Sequence, residues 1–362
     1  MGDSGSLEHL LLRGSVYIIL VNWNGWRDTI ECLESVMRNS YSAFRVIVCD
    51  NGSVDGSLER IKAWAEGRLD ILPCPGSLRE YSFPPVPKPL PYVEYGRGEA
   101  EAGGGAADDG KARLVLIGTG GNLGFAGGNN VGLRYALAKG DFDYVWLLNN
   151  DTVIHQDALS TMVAGMNKNP AAGICGSTLL HYERPERVQA QGGGYYCKWI
   201  GLPWHIGRFR HPMRLLAGRR VEKLMNYVVG ASMVVSRKFL EDVGLMCEEY
   251  FLYFEETDWA IRAEGKYRLM YEPESIVFHK VGSSIGTSSN PGRKSMLCDY
   301  FSTRNRIYFT RKFYPYALPA IYLMLLGALL TRLLLGRWDR ARMIMRLMVD
   351  HRTGYEQVSG KP

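Results

Sequence analysis

Continuous apolar runs alternate along the chain with stretches of helical spacing. Val16-Tyr-Ile-Ile-Leu-Val-Asn22 carries no polar residue before its end, the pattern of a strand covered on both faces. It runs into the polar turn Asn22-Trp-Asn-Gly25. Ile30, Leu33, Val36 and Met37 then recur at helical spacing, with Asp28 or Thr29 placed to cap the helix. Phe44 to Cys49 reads as a second strand, Asp50 to Ser57 as a turn, and a helix follows from about Leu58. Strand, helix, strand, turn, helix is the opening of a doubly wound parallel sheet. Arg113 to Ile117 resumes the sheet, and Gly120 to Gly132 opens a helix through Leu133, Tyr135, Ala136 and Leu137. Tyr144 to Leu148 is another buried strand, ending in Asn149-Asn-Asp151, with a helix from about Gln156 to Asn167. Ala172 to Leu180, Tyr227 to Val235 and Tyr267 to Phe278 are strand-like, the last ending at His279.

Two segments break the pattern. Pro73 to about Lys111 is crowded with Pro, then with Gly, Ala, Glu and Asp, so it reads as a mostly flexible insertion in which Tyr92, Val93 and Tyr95 can pack. Gln191 to Arg210 is rich in Gly, Trp and Tyr and reads as a substrate-facing loop region. The formal charge of +6 is too small for a strong nucleic-acid binder. Seven scattered cysteines without C-x-x-C spacing fit reduced thiols, not a disulfide frame or a zinc site. Met1 to Gly14 lacks the apolar core of a signal peptide, so a cytosolic catalytic part is expected.

The chemistry concentrates where strands end. Ligands of open α/β sheets bind outside the carboxyl ends of strands. A carboxylate there, Asp151, is a hard ligand for Mg²⁺ or Mn²⁺ that also touches phosphates. An Asx turn is the plainer reading of Asp151 alone. A glycine-rich turn into a helix lets backbone N–H groups approach phosphate, though it matches neither the dinucleotide fingerprint nor a Walker loop. Glu255, Glu256 and Asp258 fall within one turn after an aromatic run. A solvated helix start favours acids for its dipole. The aromatics instead argue for a pocket wall, where burial and mutual repulsion raise a carboxyl into base range.

These segments together resemble the family 2 glycosyltransferases, of GT-A fold, and most of all their rhamnosyltransferase-like branch in bacterial polysaccharide synthesis. The matching residues are Val21 to Gly25, Cys49 to Ser57, Asn122 to Asn130, Leu148 to Asp151, Gly230 to Ser232, Phe251 to Trp259 and His279, in family order. The resemblance implies a Rossmann-like, mostly parallel central sheet flanked by helices, here with a C-terminal helical extension. It implies that Asp50 and Asn51 hold the base and ribose of a dTDP- or UDP-sugar, with Asn22, Asn24, Asn122, Gly127, Asn130 and Asn150 around the donor. Asp151 would be the last acid of the D-x-D element and His279 would complete the site of a divalent metal, Mg²⁺ or Mn²⁺. Asn149 stands where the first acid is usual. Glu256 takes the position of the catalytic base, with Glu255 beside it as the alternative, and Asp258 and Trp259 would line the acceptor side. A nucleotidyltransferase is disfavoured, because Asn22-Trp-Asn-Gly-Trp replaces the expected glycine- and basic-rich loop. A catalytically inactive scaffold is the remaining alternative, against which Asp151, Glu256 and His279 stand.

The end of the chain changes again. Nine basic residues between Arg304 and Arg346 flank an apolar stretch, Ala317 to Leu330, of about fourteen residues, short of the roughly 20 needed to span a bilayer. With both flanks basic, a helix lying in the interface fits better than a crossing, and a helical hairpin or an oligomer contact is the alternative. The expected organisation is a tail (1–14), a catalytic domain (15–299) and a membrane-associating region (300–362). The protein would sit peripherally on the inner face of the cell membrane, with a glycan or polyprenyl-linked glycan as acceptor and room for a homo-oligomer.

Overall fold

A computed structural model of the chain describes residues 14–69, 76, 78–105, 110, 112–281, 295–355 and 357. Residues 1–13 of the expected tail (1–14) and parts of 73–111 lie outside the described residues. In chain order the elements begin β1 (Val16–Asn22), α1 (Trp26–Val36), β2 (Phe44–Asp50), α2 (Ser57–Ala65), α3 (Arg79–Ser82), β3 (Tyr92–Gly96) and α4 (Arg97–Glu101). They continue with β4 (Leu114–Gly118), α5 (Gly124–Lys139), β5 (Tyr144–Leu148), β6 (Thr152–Ile154), α6 (Ala158–Lys168), β7 (Ala172–His181) and β8 (Arg184–Gln191). Next are β9 (Gly193–Cys197), β10 (Leu202–His205), α7 (Gly218–Leu224), β11 (Tyr227–Val228), β12 (Ser232–Ser236) and α8 (Arg237–Val243). The chain closes with α9 (Glu255–Arg262), β13 (Arg268–His279), α10 (Met296–Phe313), α11 (Leu318–Leu334) and α12 (Trp338–Val349).

The main sheet runs β3-β4-β2-β1-β5-β12-β7-β13-β6, with β8 added to β7. The half from β3 to β5 is parallel throughout. β12 enters antiparallel between β5 and β7, while β13 lies parallel to β7. The apolar run of β1 is continuous because both of its faces are covered. Val16, Ile18 and Leu20 pack in one core with Leu33, Ile61 and Trp64 of α1 and α2. Tyr17 and Ile19 pack in a second core with Val131, Leu133 and Tyr135 of α5. Fully burying each such side chain contributes about 1.5–3 kcal/mol.

Three expectations change. The stretch expected as a mostly flexible insertion holds a strand and two short helices among its described residues. β3 pairs in parallel with β4 and forms the sheet edge, with Tyr95 buried. Its periodicity was hidden by the prolines before it, whose own anchor is remote in sequence. The Val86 amide and the Lys88 ammonium donate to the buried Glu34 carboxylate at 2.7 and 3.0 Å, and Trp64 Nε1 donates to it at 2.8 Å. The expected loop region Gln191 to Arg210 is instead half strand: β9 and β10 form a small antiparallel sheet with β11. The expected strand Tyr227 to Val235 is broken at Gly230 and Ala231 into β11 and β12.

The three last helices pack on one another through Tyr300, Ile307, Ile321, Leu325, Met343, Ile344 and Leu347. α10 is also joined to the sheet domain. Lys312 Nζ donates to Asp258 at 2.6 Å, and Arg304 donates to the Glu249 carbonyl at 2.7 Å. The expected boundary at 299/300 therefore falls inside α10, an element of the core fold.

Glu34→Ala removes the acceptor for Lys88, Trp64 and the Val86 amide together. It is expected to lower unfolding stability by about 3–5 kcal/mol, the range for breaking a buried charge pair. Urea unfolding followed by tryptophan fluorescence measures it, and a loss below about 1 kcal/mol, the size of one ordinary hydrogen bond, would show that this anchor carries little.

Candidate active site

The carboxyl ends of β1, β2 and β5 lie side by side, because these strands pair in parallel and in register. Their terminal amides and hydroxyls build one network. Asn22 Nδ2 donates to Asp50 Oδ1 at 2.7 Å, and Thr29 Oγ1 donates to Asn22 Oδ1 at 2.8 Å. Asn150 Nδ2 donates to Thr29 Oγ1 at 2.9 Å. Asn24 and Ser53 close the neighbouring turn: the Asn24 amide donates to Ser53 Oγ at 2.9 Å, and the Val54 amide to Asn24 Oδ1 at 2.8 Å. Asn51 Oδ1 accepts from the Leu123 amide at 3.0 Å, and its Nδ2 donates to Asn122 Oδ1 at 3.1 Å.

Beside these strand ends lies a cavity of about 330 Å³. Asn51, Asn122, Asn149, Asn150, Asp151, His279, Glu255 and Glu256 all line it. Trp23, Phe125, Gly230, Phe251 and Tyr253, all within the matching motifs, also line it, as do His205 of the expected substrate-facing region and Gln189, for which the sequence gave no signal. The volume suits a small-molecule ligand. Asp50, Asn22, Asn24, Gly127, Asn130, Asp258 and Trp259 are not among the lining residues.

Four of these have evident other roles. Asn130, expected at the donor, donates to the Met246 carbonyl at 2.9 Å and to Glu248 at 2.8 Å, so it clamps the chain before α9. Gly127 sits inside α5, where a Cβ would come within 2.6 Å of the Leu123 Cβ. Asp258, expected on the acceptor side, is fully buried and accepts from Tyr250 at 2.9 Å, Arg262 at 2.7 Å and Lys312 at 2.6 Å. Trp259, expected beside it, is fully buried against Phe239, with its Nε1 donating to the Gly244 carbonyl.

Asp151 and His279 meet in the cavity wall. β13 pairs with β6 so that His279 lies opposite Thr152, next to Asp151. His279 Nε2 lies 3.1 Å from Asp151 Oδ1. Its Nδ1 donates to Gln189 Oε1 at 2.9 Å, and Nε2 is the nitrogen turned toward Asp151. Asn149 Nδ2 lies 3.3 Å from that nitrogen. An imidazole nitrogen beside a carboxylate oxygen is a donor set that fits a divalent ion, and Gln189 orients the imidazole in the manner usual behind a metal-bound histidine. Among the described residues no group of three or more His, Cys, Asp or Glu converges.

The carboxylates are presented by an unusual backbone. Phe251, Tyr253 and Phe254 have φ of 62, 72 and 78°. Left-handed bulky residues cost of order 1–3 kcal/mol each and persist only where surroundings enforce them. One restraint comes from Gly124: the next amide, of Phe125, donates to the Phe251 carbonyl at 2.7 Å. A Cβ on Gly124 would lie 2.3 Å from that carbonyl oxygen, and Gly124 itself has φ of +71°. Glycine is required there for the close approach.

Glu255 is 2 % exposed, and Oε2 of both Glu255 and Glu256 is buried without a hydrogen-bond partner. Burial raises the Glu256 carboxyl to about 7. Burial and the neighbouring Glu256 charge raise Glu255 well above the usual range. Two adjacent buried carboxyls resist carrying two charges at once, so the doubly ionised state of the pair is disfavoured. His205 on the same cavity is driven down to about 4, first by burial and then by Arg208, so it is neutral at pH 7.

The model of glycosyl transferase family 2 matches residues 17–77 and 106–244, more than half of the 362-residue chain, and the chain belongs to that family. It is 27% identical over 151 residues to the low-salt glycan biosynthesis hexosyltransferase Agl10 of Haloferax volcanii, a match covering 41% of this chain and 46% of that protein. It is 25% identical over 213 residues to the dTDP-rhamnosyl transferase RfbF of Shigella flexneri, covering 57% and 65%. The matches thus span about half to two thirds of these relatives. Among solved structures, the mannosyltransferase PcManGT from Pyrobaculum calidifontis, in complex with GDP-Man and Mn²⁺, superposes with a TM-score of 0.50 at 14% identity, covering 97% of this chain and 88% of that one. GalNAc-T7 with UDP, GalNAc and Mn²⁺ gives a TM-score of 0.51 at 14% identity, covering 80% and 47%. At that identity the likeness speaks for the fold, and the expected GT-A architecture is the one found.

Proposed function

We propose that the chain transfers a hexose from a nucleotide-diphosphate sugar to an acceptor hydroxyl by a single displacement with inversion. The observation that carries this reading is the pair of partnerless, buried carboxylate oxygens of Glu255 and Glu256 in the same cavity as Asp151 and His279. In the reaction the acceptor oxygen forms a bond to the anomeric carbon as the bond to the diphosphate breaks. The Glu256 carboxylate takes the hydroxyl proton, and Glu255, pushed up by burial and by the Glu256 charge, favours its neutral form beside it. Asp151 and His279 would hold a divalent cation, and their mixed oxygen and nitrogen donors suit Mn²⁺ at least as well as Mg²⁺. When bound, such an ion neutralises charge on the leaving diphosphate. Asn51 and Asn122, at the cavity surface, would meet the nucleoside, and Asp50 would hold the neighbouring Asn22 and Ser53 turn. A dTDP- or UDP-sugar, with rhamnose first among the sugars, is the donor class, in keeping with the name of the Shigella flexneri relative.

Membrane contact belongs to the same proposal, with a polyprenyl-linked glycan as acceptor and the inner face of the cell membrane as location. Residues Pro315–Leu334 form a helix of 20 residues, long and apolar enough to cross a membrane, and longer than the fourteen-residue run suggested. Only one of its faces packs: Ile321 and Leu325 are buried, while Leu323, Leu326, Leu330 and Leu334 are exposed. A helix packed along one side and bare on the other suits the interface better than a span. The basic residues give less support than their number suggests. Arg332 and Arg340 both bind Asp299, and Lys312 binds Asp258, so part of the charge is neutralised internally.

Three outcomes are expected. Asp151→Asn should abolish the Mn²⁺ dependence of transfer and weaken Mn²⁺-supported binding of the nucleoside diphosphate, because an amide is a poor ligand for a divalent ion. Unchanged metal dependence in kinetics and calorimetry would remove Asp151 from the metal site.

The base must be ionised, so kcat should fall as pH drops through a value near the Glu256 figure of about 7, well above an ordinary carboxyl. Glu256→Gln should lose about a hundredfold or more in kcat with nucleoside diphosphate binding retained. An acidic limb near pH 4 to 5, the ordinary carboxyl range, or an active Glu256→Gln, would exclude Glu256 as base.

Flotation with anionic vesicles tests the membrane contact. The full chain should float, and Leu323→Glu with Leu330→Glu, both at exposed positions, should not. Equal flotation, or none by either, would mean that this face meets something other than lipid.

A further inference from the structure

The residue that holds the catalytic carboxylates in place lies outside every matched motif, on α10. Three consecutive-region carbonyls converge on one side-chain amide. Asn305 Nδ2 donates to the carbonyls of Tyr250 at 2.8 Å, Leu252 at 2.8 Å and Tyr253 at 3.2 Å. Asn305 is fully buried. Its own oxygen accepts from Arg304 Nη1 at 2.8 Å, and the same nitrogen donates to the Glu249 carbonyl at 2.7 Å. Tyr250 ends a short 3-10 turn and its carbonyl also accepts from the Leu252 amide at 2.7 Å, whereas the Leu252 and Tyr253 carbonyls lie among the left-handed residues Phe251, Tyr253 and Phe254, outside any strand or helix. Asn305 is the donor that these two carbonyls find inside the fold. Aromatic contacts follow the same line: Phe301 stacks on Phe251 at 4.7 Å and Phe309 lies 5.2 Å from Phe254.

We propose that Asn305 is a positioning residue for the reaction, fixing the 250–254 turn so that Glu255 and Glu256 stand in the cavity at the depth that catalysis requires. This rests on the reading of those glutamates as the base pair. Asn130 clamps the chain just upstream, at Met246 and Glu248, so the turn is held at both ends by asparagines from different helices. A small displacement of a reacting group lowers the rate without touching the chemistry itself. The Asp151 and His279 half of the cavity is built on other strands, so binding of the diphosphate should be spared.

The test uses the full chain. Asn305→Ala is expected to lower kcat by about 10- to 100-fold, the effect of a reacting group misplaced by about an ångström. The Kd for UDP with Mn²⁺ should stay within about twofold, since no diphosphate contact is removed. Its kcat profile should also move to lower pH, as the loosened carboxylates gain water. Asn305→Ser, which keeps one donor, should fall between it and the native chain in both readouts, and it serves where the alanine variant folds poorly. Ile344→Ala, in the outer packing of α12, is the control: it should lower Tm yet leave kcat and the pH profile unchanged. A kcat for Asn305→Ala and Asn305→Ser equal to the native chain, a loss confined to Kd, or an equal loss in Ile344→Ala would overturn the proposal. Failure of the underlying reading looks different: Glu255→Gln and Glu256→Gln would then both remain active, whatever Asn305 does.

Discussion

Two adjacent carboxylates buried without an ion-pair partner are the constraint on which the rest of this structure depends. A lone buried carboxylate is driven toward its neutral form, and two of them resist carrying two charges at once. The fold tolerates this because the backbone that carries them is fixed from three sides. Gly124 and Phe125 meet the turn from α5, Asn130 holds its upstream end, and Asn305 collects its carbonyls from α10. Removing the left-handed residues would relieve strain and also take the carboxyl groups off the cavity. Strain and function are therefore one arrangement, with the energy supplied by the surrounding packing.

The opposite side of the cavity follows another logic. There the polar groups at the ends of β1, β2 and β5 satisfy one another through Asn22, Thr29, Asp50 and Asn150. Asp50 is thereby a support whose two oxygens take Asn22 and the Ser53 amide. Asn51, Asn122, Asn149, Asn150 and Asp151 reach the cavity surface. A rigid, prearranged polar floor costs little on ligand binding, which suits a donor that must be held while its bond breaks.

Much of this was legible in the sequence where local pattern and final environment agree. The continuous runs of β1, β2 and β5 announce strands buried on both faces, and Asp151, Glu255, Glu256 and His279 all reach one cavity. The misreadings share a cause. Asn130, Asp258 and Trp259 sit in motifs that mark a site, yet their partners, Met246, Lys312 and Phe239, are fixed only by tertiary contact. β3 was obscured because proline and glycine content suggests flexibility, whereas the anchor of its approach is Glu34, some fifty residues upstream. Asn305 was invisible for the same reason. An asparagine inside a basic helix has no local signature for a role in holding a distant turn.

The basic, apolar end of the chain shows how composition can divide what packing unites. Its charge suggested a separate region directed at an anionic surface. In the fold, Arg304 and Lys312 point back into the sheet domain, while Arg332 and Arg340 converge on Asp299. α10 thus has two flanks. One carries Asn305 against the turn before Glu255, and the other carries Tyr300 and Ile307 into the packing of α11 and α12. Whatever the bare face of α11 rests on is therefore linked to the carboxylates through a single helix. A force that shifts α11 must either be absorbed in that apolar packing or reach the Asn305 hydrogen bonds. Close-packed interfaces resist gradual deformation. The chain from Met296 onward is on these grounds part of the catalytic fold, joined to the turn before Glu255 by one flank of α10 and to α11 and α12 by the other.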